Sequence, residues 1–272
     1  MKAPRSPVTI QRPVATGKDA RAELLIRAVR PTVPLRKTFV QAPRGSETRP
    51  GPLQTFVSNG DLRGLRAYLI TVAATSKSND DGWSTTLDSL VWARLLDAEE
   101  TTSTQAGART AAWRALGRLQ DRQLIHRTRS PRSNREITVT LLRENGSGDP
   151  YYHPADGAPD DPADWYFRLP VSFWTKGLDA TLTMPGLAML LTVAMEKPWS
   201  SFPAERMPEW YGWSPDTTER GLRELVDLGL CERRESYRRT PLSPTGHTLA
   251  YQYRLKSWLR PRAGARPAKA AS

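Results

Sequence analysis

Apolar residues first settle into a sustained rhythm at residue 62. In DLRGLRAYLITVAATS, Leu62, Leu65, Leu69 and Val72 recur at intervals of three and four, which puts them on one helical face, with Asp61 at the N-cap position. Asn79-Asp80-Asp81-Gly82 predicts a turn and Trp83–Thr86 a short strand. Leu87–Leu96 predicts a second helix with Leu87, Leu90, Val91 and Leu95 inward. A polar stretch, Glu99 to Gly107, leads to a third helix ending near Asp121, with Ala112, Ala115, Leu116 and Leu119 on its apolar face. Leu124–Arg129 and Glu136–Leu142 predict strands, the second rich in β-branched residues, joined by a hairpin tip at Pro131-Arg132-Ser133-Asn134.

The same order returns further on. Tyr166–Pro170 is extended and Val171–Leu178 a short turn or helix. Thr183 caps a helix with Leu187, Leu190, Leu191 and Ala194 on one face, stopped by Pro198. Trp199–Phe202 predicts a short strand and Ala204–Tyr211 a brief helix. Ser214-Pro215 begins a longer helix that ends at Gly229, a residue suited to a left-handed cap. Leu230–Arg234 and Leu249–Leu255 predict two strands joined by a long loop rich in Arg and Pro. A shift of 106 residues aligns AAWRALGRLQDRQLI (111–125) with TTERGLRELVDLGLC (217–231) without gaps. Arg114, Leu116, Leu119, Asp121 and Leu124 then meet Arg220, Leu222, Leu225, Asp227 and Leu230. The chain reads as a tandem repeat.

Outside the repeats the pattern weakens. Residues 1–60 are rich in Pro, Arg, Thr and Ser, and only Ala22–Val29 suggests a turn or two of helix, so a disordered basic arm is expected. Residues 144–164 are dense in Gly, Pro and Asp and predict an extended linker; their aspartates lack the alternation of a calcium loop. Residues 257–272 are expected to form a basic disordered tail.

Charge sharpens this picture. The formal net charge is +12, which favours a polyanionic partner. Residues 106–143 hold nine arginines against Asp121 and Glu136, a local +7. A helix with an arginine face running into a basic ribbon suits the major groove and flanking phosphates of double-stranded DNA. Arg109, Thr110 and Arg114 are the candidates for base edges, Arg118 for phosphate, and Arg127, Arg129, Arg132 and Arg135 for backbone or minor groove. In the second copy the corresponding residues are Thr217, Thr218, Arg220 and Arg223 on the helix and Arg233, Arg234, Arg238 and Arg239 on the ribbon. Residues 214–239 balance six arginines with six acids, so the first copy is expected to dominate electrostatic binding.

The order helix, short strand, helix, helix, strand, wing, strand resembles the winged helix-turn-helix family, with RTAAWRALGRLQDRQLI as recognition helix and start of the wing. The resemblance implies an α+β, mainly helical fold of two tandem winged-helix domains, 61–143 and 165–256. It implies a sequence-specific DNA-binding protein, first of all a transcriptional regulator. Tandem winged helices in one chain also resemble plasmid-type replication initiators, whose modules engage repeated origin sites. An adaptor that binds protein through its winged helices is the third reading, and a second copy of the chain is a further candidate partner.

Other classes find little support. The single cysteine, Cys231, excludes an internal disulfide framework and fits a reducing compartment. Neither an 18-residue apolar run nor a secretory signal core is present, so a cytoplasmic protein without a membrane partner is expected. Gly17-Lys18 lacks the upstream glycine of a phosphate loop, and Gly146-Ser147-Gly148 has the wrong spacing for a nucleophile elbow. His126, His153 and His247 are scattered. No catalytic centre, metal or cofactor is expected. The nine tryptophans suggest core packing, with Trp83, Trp113, Trp199, Trp210 and Trp213 all beside apolar neighbours.

Overall fold

The computed structural model describes residues 15–75, 82–130 and 133–260. The order is α1 (Gly17–Arg27), β1 (Thr32–Arg36), α2 (Leu53–Ser58), α3 (Leu62–Ala74), β2 (Ser84–Asp88), α4 (Ser89–Leu95) and α5 (Gln105–Asp121). Then come β3 (Ile125–Ser130), β4 (Ser133–Leu141), β5 (Tyr166–Pro170), α6 (Ser172–Thr175), α7 (Leu178–Thr181) and α8 (Met184–Met195). α9 (Met207–Tyr211), α10 (Pro215–Asp227), β6 (Cys231–Arg239) and β7 (His247–Leu255) complete the described chain. Among the described residues helix accounts for 46% and strand for 22%, in small antiparallel sheets. The fold is α+β and mainly helical.

The first repeat follows the local chemistry closely. Asp61 accepts from the Gly64 amide and starts α3, and Thr104 does the same for Gly107 at the head of α5. The three-stranded sheet runs β2-β4-β3, with Leu87 opposite Ile137 and Ile125 opposite Leu141. Leu87 therefore belongs to a strand, and α4 begins only after Asp88, whose carboxylate caps the Leu90 amide. This moves the helical frame. Trp92 and Leu95 are buried while Leu90 and Val91 are half-buried, and the Trp92 indole donates to Ile137 O at 3.0 Å. The predicted turn at 79–82 falls outside the described residues except for Gly82, as do Pro131 and Arg132 at the hairpin tip.

The second repeat has the same connectivity. β6 pairs with β7 over nine residues each, from Cys231↔Leu255 to Arg239↔His247. The predicted strand at 199–202 is reduced to one bridge, Ser200↔Tyr253, which joins the last strand of the ribbon just as β2 joins β4. Matched positions share backbone as well as burial. Leu116, Leu119, Leu124 and Ile125 are buried, and so are Leu222, Leu225, Leu230 and Cys231. Gln123 and Gly229, also 106 apart, are both left-handed, at φ 56° and 65°. Gly229 meets that requirement without a Cβ; Gln123 meets it against its own preference.

Three expectations are corrected. First, the arm is not disordered over 15–60. Thr16 and Asp19 form a capping box for α1, and β1 pairs with β5 from Thr32↔Pro170 to Arg36↔Tyr166. Its Val33 and Leu35 are buried with Phe39, Leu53 and Phe56. Short, proline-flanked apolar runs carry no periodicity, yet they bury well against a distant strand. Residues 1–14 lie outside the described part. Second, residues 144–164 are not an extended spacer. Arg36, fully buried, donates from Nη1 to Glu144 at 2.7 Å, from Nε to Asp164 at 3.1 Å and from Nη2 to Tyr152 O at 2.8 Å. Its guanidinium lies 4.3 Å from the centre of the Tyr152 ring, and the Tyr152 hydroxyl donates to Asp164 at 2.6 Å. Third, the tail is structured as far as Leu259, which is buried in a short 3-10 turn; residues 261–272 lie outside the described part.

A buried arginine that loses its carboxylate leaves an uncompensated charge. Arg36→Met or Glu144→Leu alone should destabilise the fold by ~3–5 kcal/mol in urea unfolding, and the double variant should recover part of that loss. Equal, additive losses would show that the pair does not act as a unit. Burial works to raise the Asp164 carboxyl, but the Tyr152 hydroxyl and the Arg36 guanidinium outweigh it and hold it below the ordinary 3.8. A lowered carboxyl stabilises the fold above its unfolded value and loses that contribution as pH falls. The stability gap between the wild type and Asp164→Asn should therefore be full above pH 3.8 and shrink below it.

Candidate nucleic-acid interface

α5 buries Ala108, Ala112, Ala115, Leu116 and Leu119, which turns Ala106, Thr110, Arg114 and Asp121 outward. Thr110, Arg114 and Arg118 are exposed, and neither arginine forms an ion pair with a described residue. With Arg63 of α3 they line a groove of about 510 Å³ that Ala106, Ala111 and Ala115 also line. Small residues thus alternate with exposed arginines along this groove.

Two neighbouring arginines, Arg109 and Arg127, have structural work. Arg109 donates from Nη1 to Asp88 at 2.9 Å and also to Ser89 Oγ. It ties the first turns of α5 to the cap of α4, so the side chain expected at a base edge is engaged in an internal ion pair. The alternation of β3 explains Arg127: it follows buried Ile125 on the face turned to α5. Its guanidinium lies 3.8 Å from the centre of the Trp113 ring and donates to Trp113 O. Burial lowers its pKa, against the pull of Asp121. Arg129 lies over the same ring at 4.7 Å. Gly117 makes room for this stack, since a Cβ there would sit 2.7 Å from Arg127 Nη2. Arg135 is exposed on β4. Arg132 lies outside the described residues.

The second copy differs in kind. Thr218 is buried and accepts from the Trp213 indole at 3.1 Å, so its expected role as a contact is corrected. Thr217 joins Ser214 at the helix cap. Arg220 pairs with Asp216 at 2.9 Å, and Arg223 with Glu219, each one turn apart on α10. These exposed pairs cancel the positive charge of the helix's two arginines without adding much stability. On the ribbon lie arginines that form no ion pair with a described residue. Arg233 lies over Tyr251 at 4.7 Å, Arg234 over Trp199 at 4.3 Å, and Arg238 and Arg239 are exposed near its end.

Two features escaped sequence reasoning. One is the indole–guanidinium stack: Trp113 packs partly on the core as expected, but its ring also orders two arginines. A tryptophan one turn before a helix glycine, followed by arginines at alternate strand positions, is the pattern that could have exposed it. The other is the outer half of the β6–β7 ribbon, where Tyr237, Leu249 and Tyr251 are exposed. Cys231 is buried in the core, and burial pushes its thiol up to about 11. Among the described residues no three His, Cys, Asp or Glu side chains cluster as a metal set, and no helix is long and apolar enough to cross a membrane.

Arg109 and Arg114 should separate in a mutational test. Arg109→Ala should lower stability by ~1 kcal/mol through its two lost hydrogen bonds. Arg114→Ala should stay within about 0.5 kcal/mol of wild type, as exposed substitutions do. Chemical denaturation of the two variants checks this, and equal losses would overturn the assignment. No protein-family model matches the chain, and neither the curated proteins nor the solved structures contain one significantly similar to it.

Proposed function

We propose that the chain is a sequence-specific double-stranded DNA-binding protein built from two tandem winged helices, with the first as principal reader. The observation that carries this reading is the outward face of α5: exposed Thr110, Arg114 and Arg118 among small residues, beside a β3 whose Arg127 and Arg129 are held on Trp113. An α-helix with this surface matches a major groove in width, and Arg114 has the fork needed for guanine O6 and N7. Arg118, Arg129 and Arg135 are suited to the phosphates on either side. In each repeat a short extended segment pairs with the last strand of the ribbon, and this common connectivity supports the winged-helix assignment.

In this reading α10 contributes little direct electrostatic attraction, because its arginines are paired within the helix. The second module acts through its ribbon, where Arg233, Arg234, Arg238 and Arg239 lie. Transcriptional regulation is the role favoured for a protein of this kind. The tie between β1 and β5, which builds both repeats into one continuous core, also favours the initiator reading, since fixed modules suit adjacent repeats at an origin.

Selection of genomic fragments by the purified full chain, followed by footprinting, tests the proposal. A regulator should recover promoters, and an initiator tandem repeats beside an AT-rich region. Binding should weaken with salt, and Arg118→Ala should flatten the slope of log K against log salt by about 0.9 across all sequences. Arg114→Ala should cost ~1–3 kcal/mol on the selected site and far less on random duplex. Absence of salt-dependent binding to any duplex would sink the DNA reading and leave the protein-binding adaptor.

A further inference from the structure

A cleft of about 980 Å³ opens where β5 meets the base of the β6–β7 ribbon and the end of α8. Five cations line it: Lys37, Arg168, Arg254, Lys256 and Arg260. Their compensation is incomplete. Lys37 pairs with Glu196 at 2.7 Å, while Arg254 and Lys256 share the single carboxylate of Glu232 at 2.7 and 2.8 Å. Arg168 donates to the Tyr166 hydroxyl at 3.2 Å and forms no ion pair with a described residue. Arg260 forms no ion pair with a described residue; burial lowers its pKa, with Glu196 pulling the other way. Five positive charges thus face two negative ones across one recess. Arg168 and Arg260 are both half-buried, and burying a guanidinium is costly without an anion.

The remaining walls say what else the occupant carries. Phe167, Ala194, Met195 and Leu255 give the cleft an apolar side. Trp165 stands at its edge with half its surface exposed, whereas Trp92, Trp174 and Trp213 are at least nine-tenths buried. Its backbone is fixed by the Lys37 amide, which donates to Trp165 O at 2.7 Å. A bare phosphate would leave most of this volume empty, since sites of about 300–1,000 Å³ hold drug-sized ligands. An anion attached to a flat ring fills both halves, with forked guanidiniums on the phosphate and the indole under the ring.

We propose that this cleft binds a small phosphorylated ligand with an aromatic ring, a nucleoside phosphate. Arg168, Arg260 and Lys256 hold the phosphates, and Trp165 stacks against the base. The site lies apart from α5 and stands whether or not the chain binds DNA. Its residues come from β5, which is paired with β1, and from the closing strand of the second repeat. A ligand there binds both parts of the fold and raises its unfolding temperature.

Calorimetric titration of the full chain with ATP and GTP, and with inorganic tripolyphosphate as a ring-less probe, tests this. The expected result is one site per chain, with tripolyphosphate the weaker ligand. Arg168→Gln combined with Arg260→Gln should weaken nucleotide binding by about ten- to a hundredfold, the loss of charge-assisted hydrogen bonds. Trp165→Leu should bring nucleotide affinity down to that of tripolyphosphate and leave the latter unchanged. Should the double variant fail to fold, the wild type decides: among its nine tryptophan indole signals, the one lost in Trp165→Phe should shift with nucleotide. No binding of either nucleotide, or binding that leaves that signal unmoved, overturns the proposal. So does full displacement of the nucleotide by a short duplex contacting the same residues, which would make the cleft part of a polyanion surface.

Discussion

The buried guanidinium of Arg36 is the constraint on which the arrangement of the two repeats depends. It sits at the end of β1, where the strand that begins the second repeat lies alongside, and it gathers Glu144, Asp164 and the Tyr152 carbonyl from the intervening segment. Arginine suits this place because its donors point in fixed directions and can serve several acceptors at once. Glu144 is held there at a cost: burial raises its pKa even though Arg36 opposes it. Arg143 adds a second cation at Asp164, 3.3 Å away. Through these contacts a segment composed like a flexible spacer becomes a strut.

The two repeats then show how one scaffold carries two surfaces. The apolar positions that seat α5 and α10 are common to both, and so is the left-handed residue that turns each helix into its ribbon. What differs is the outside. α5 places no acid in the turn before Arg114 or Arg118, whereas α10 places an acid one turn before each of its arginines. Core positions must satisfy packing in both copies, so they stay alike; exposed positions are free to diverge with the surface each copy presents.

Charge also divides within a single repeat. Of the arginines near α5, Arg109 braces one helix against another, Arg127 and Arg129 lie on Trp113, and Arg122 reaches Asp61 at 2.7 Å. Arg114 and Arg118 are left facing outward. The net positive patch is therefore partly a scaffold: paired and stacked arginines shape the surface on which the exposed ones stand.

The sequence by itself determined the local elements. Asp61, Thr183 and Ser214 cap the helices they were expected to start, and the matched leucines of the repeat are buried as their spacing requires. Helix caps and apolar periodicity act over a few residues, so they can be read along the chain. Only the tertiary structure decided the rest. Pairing between β1 and β5 joins residues more than a hundred positions apart, and the acceptors that bury Arg36 are equally remote. Whether an arginine is a brace or an exposed cation depends on the carboxylate or indole that reaches it in space. Arg109 and Arg114 share one helix and one residue type, and the fold alone gives Asp88 to the first and leaves the second to solvent.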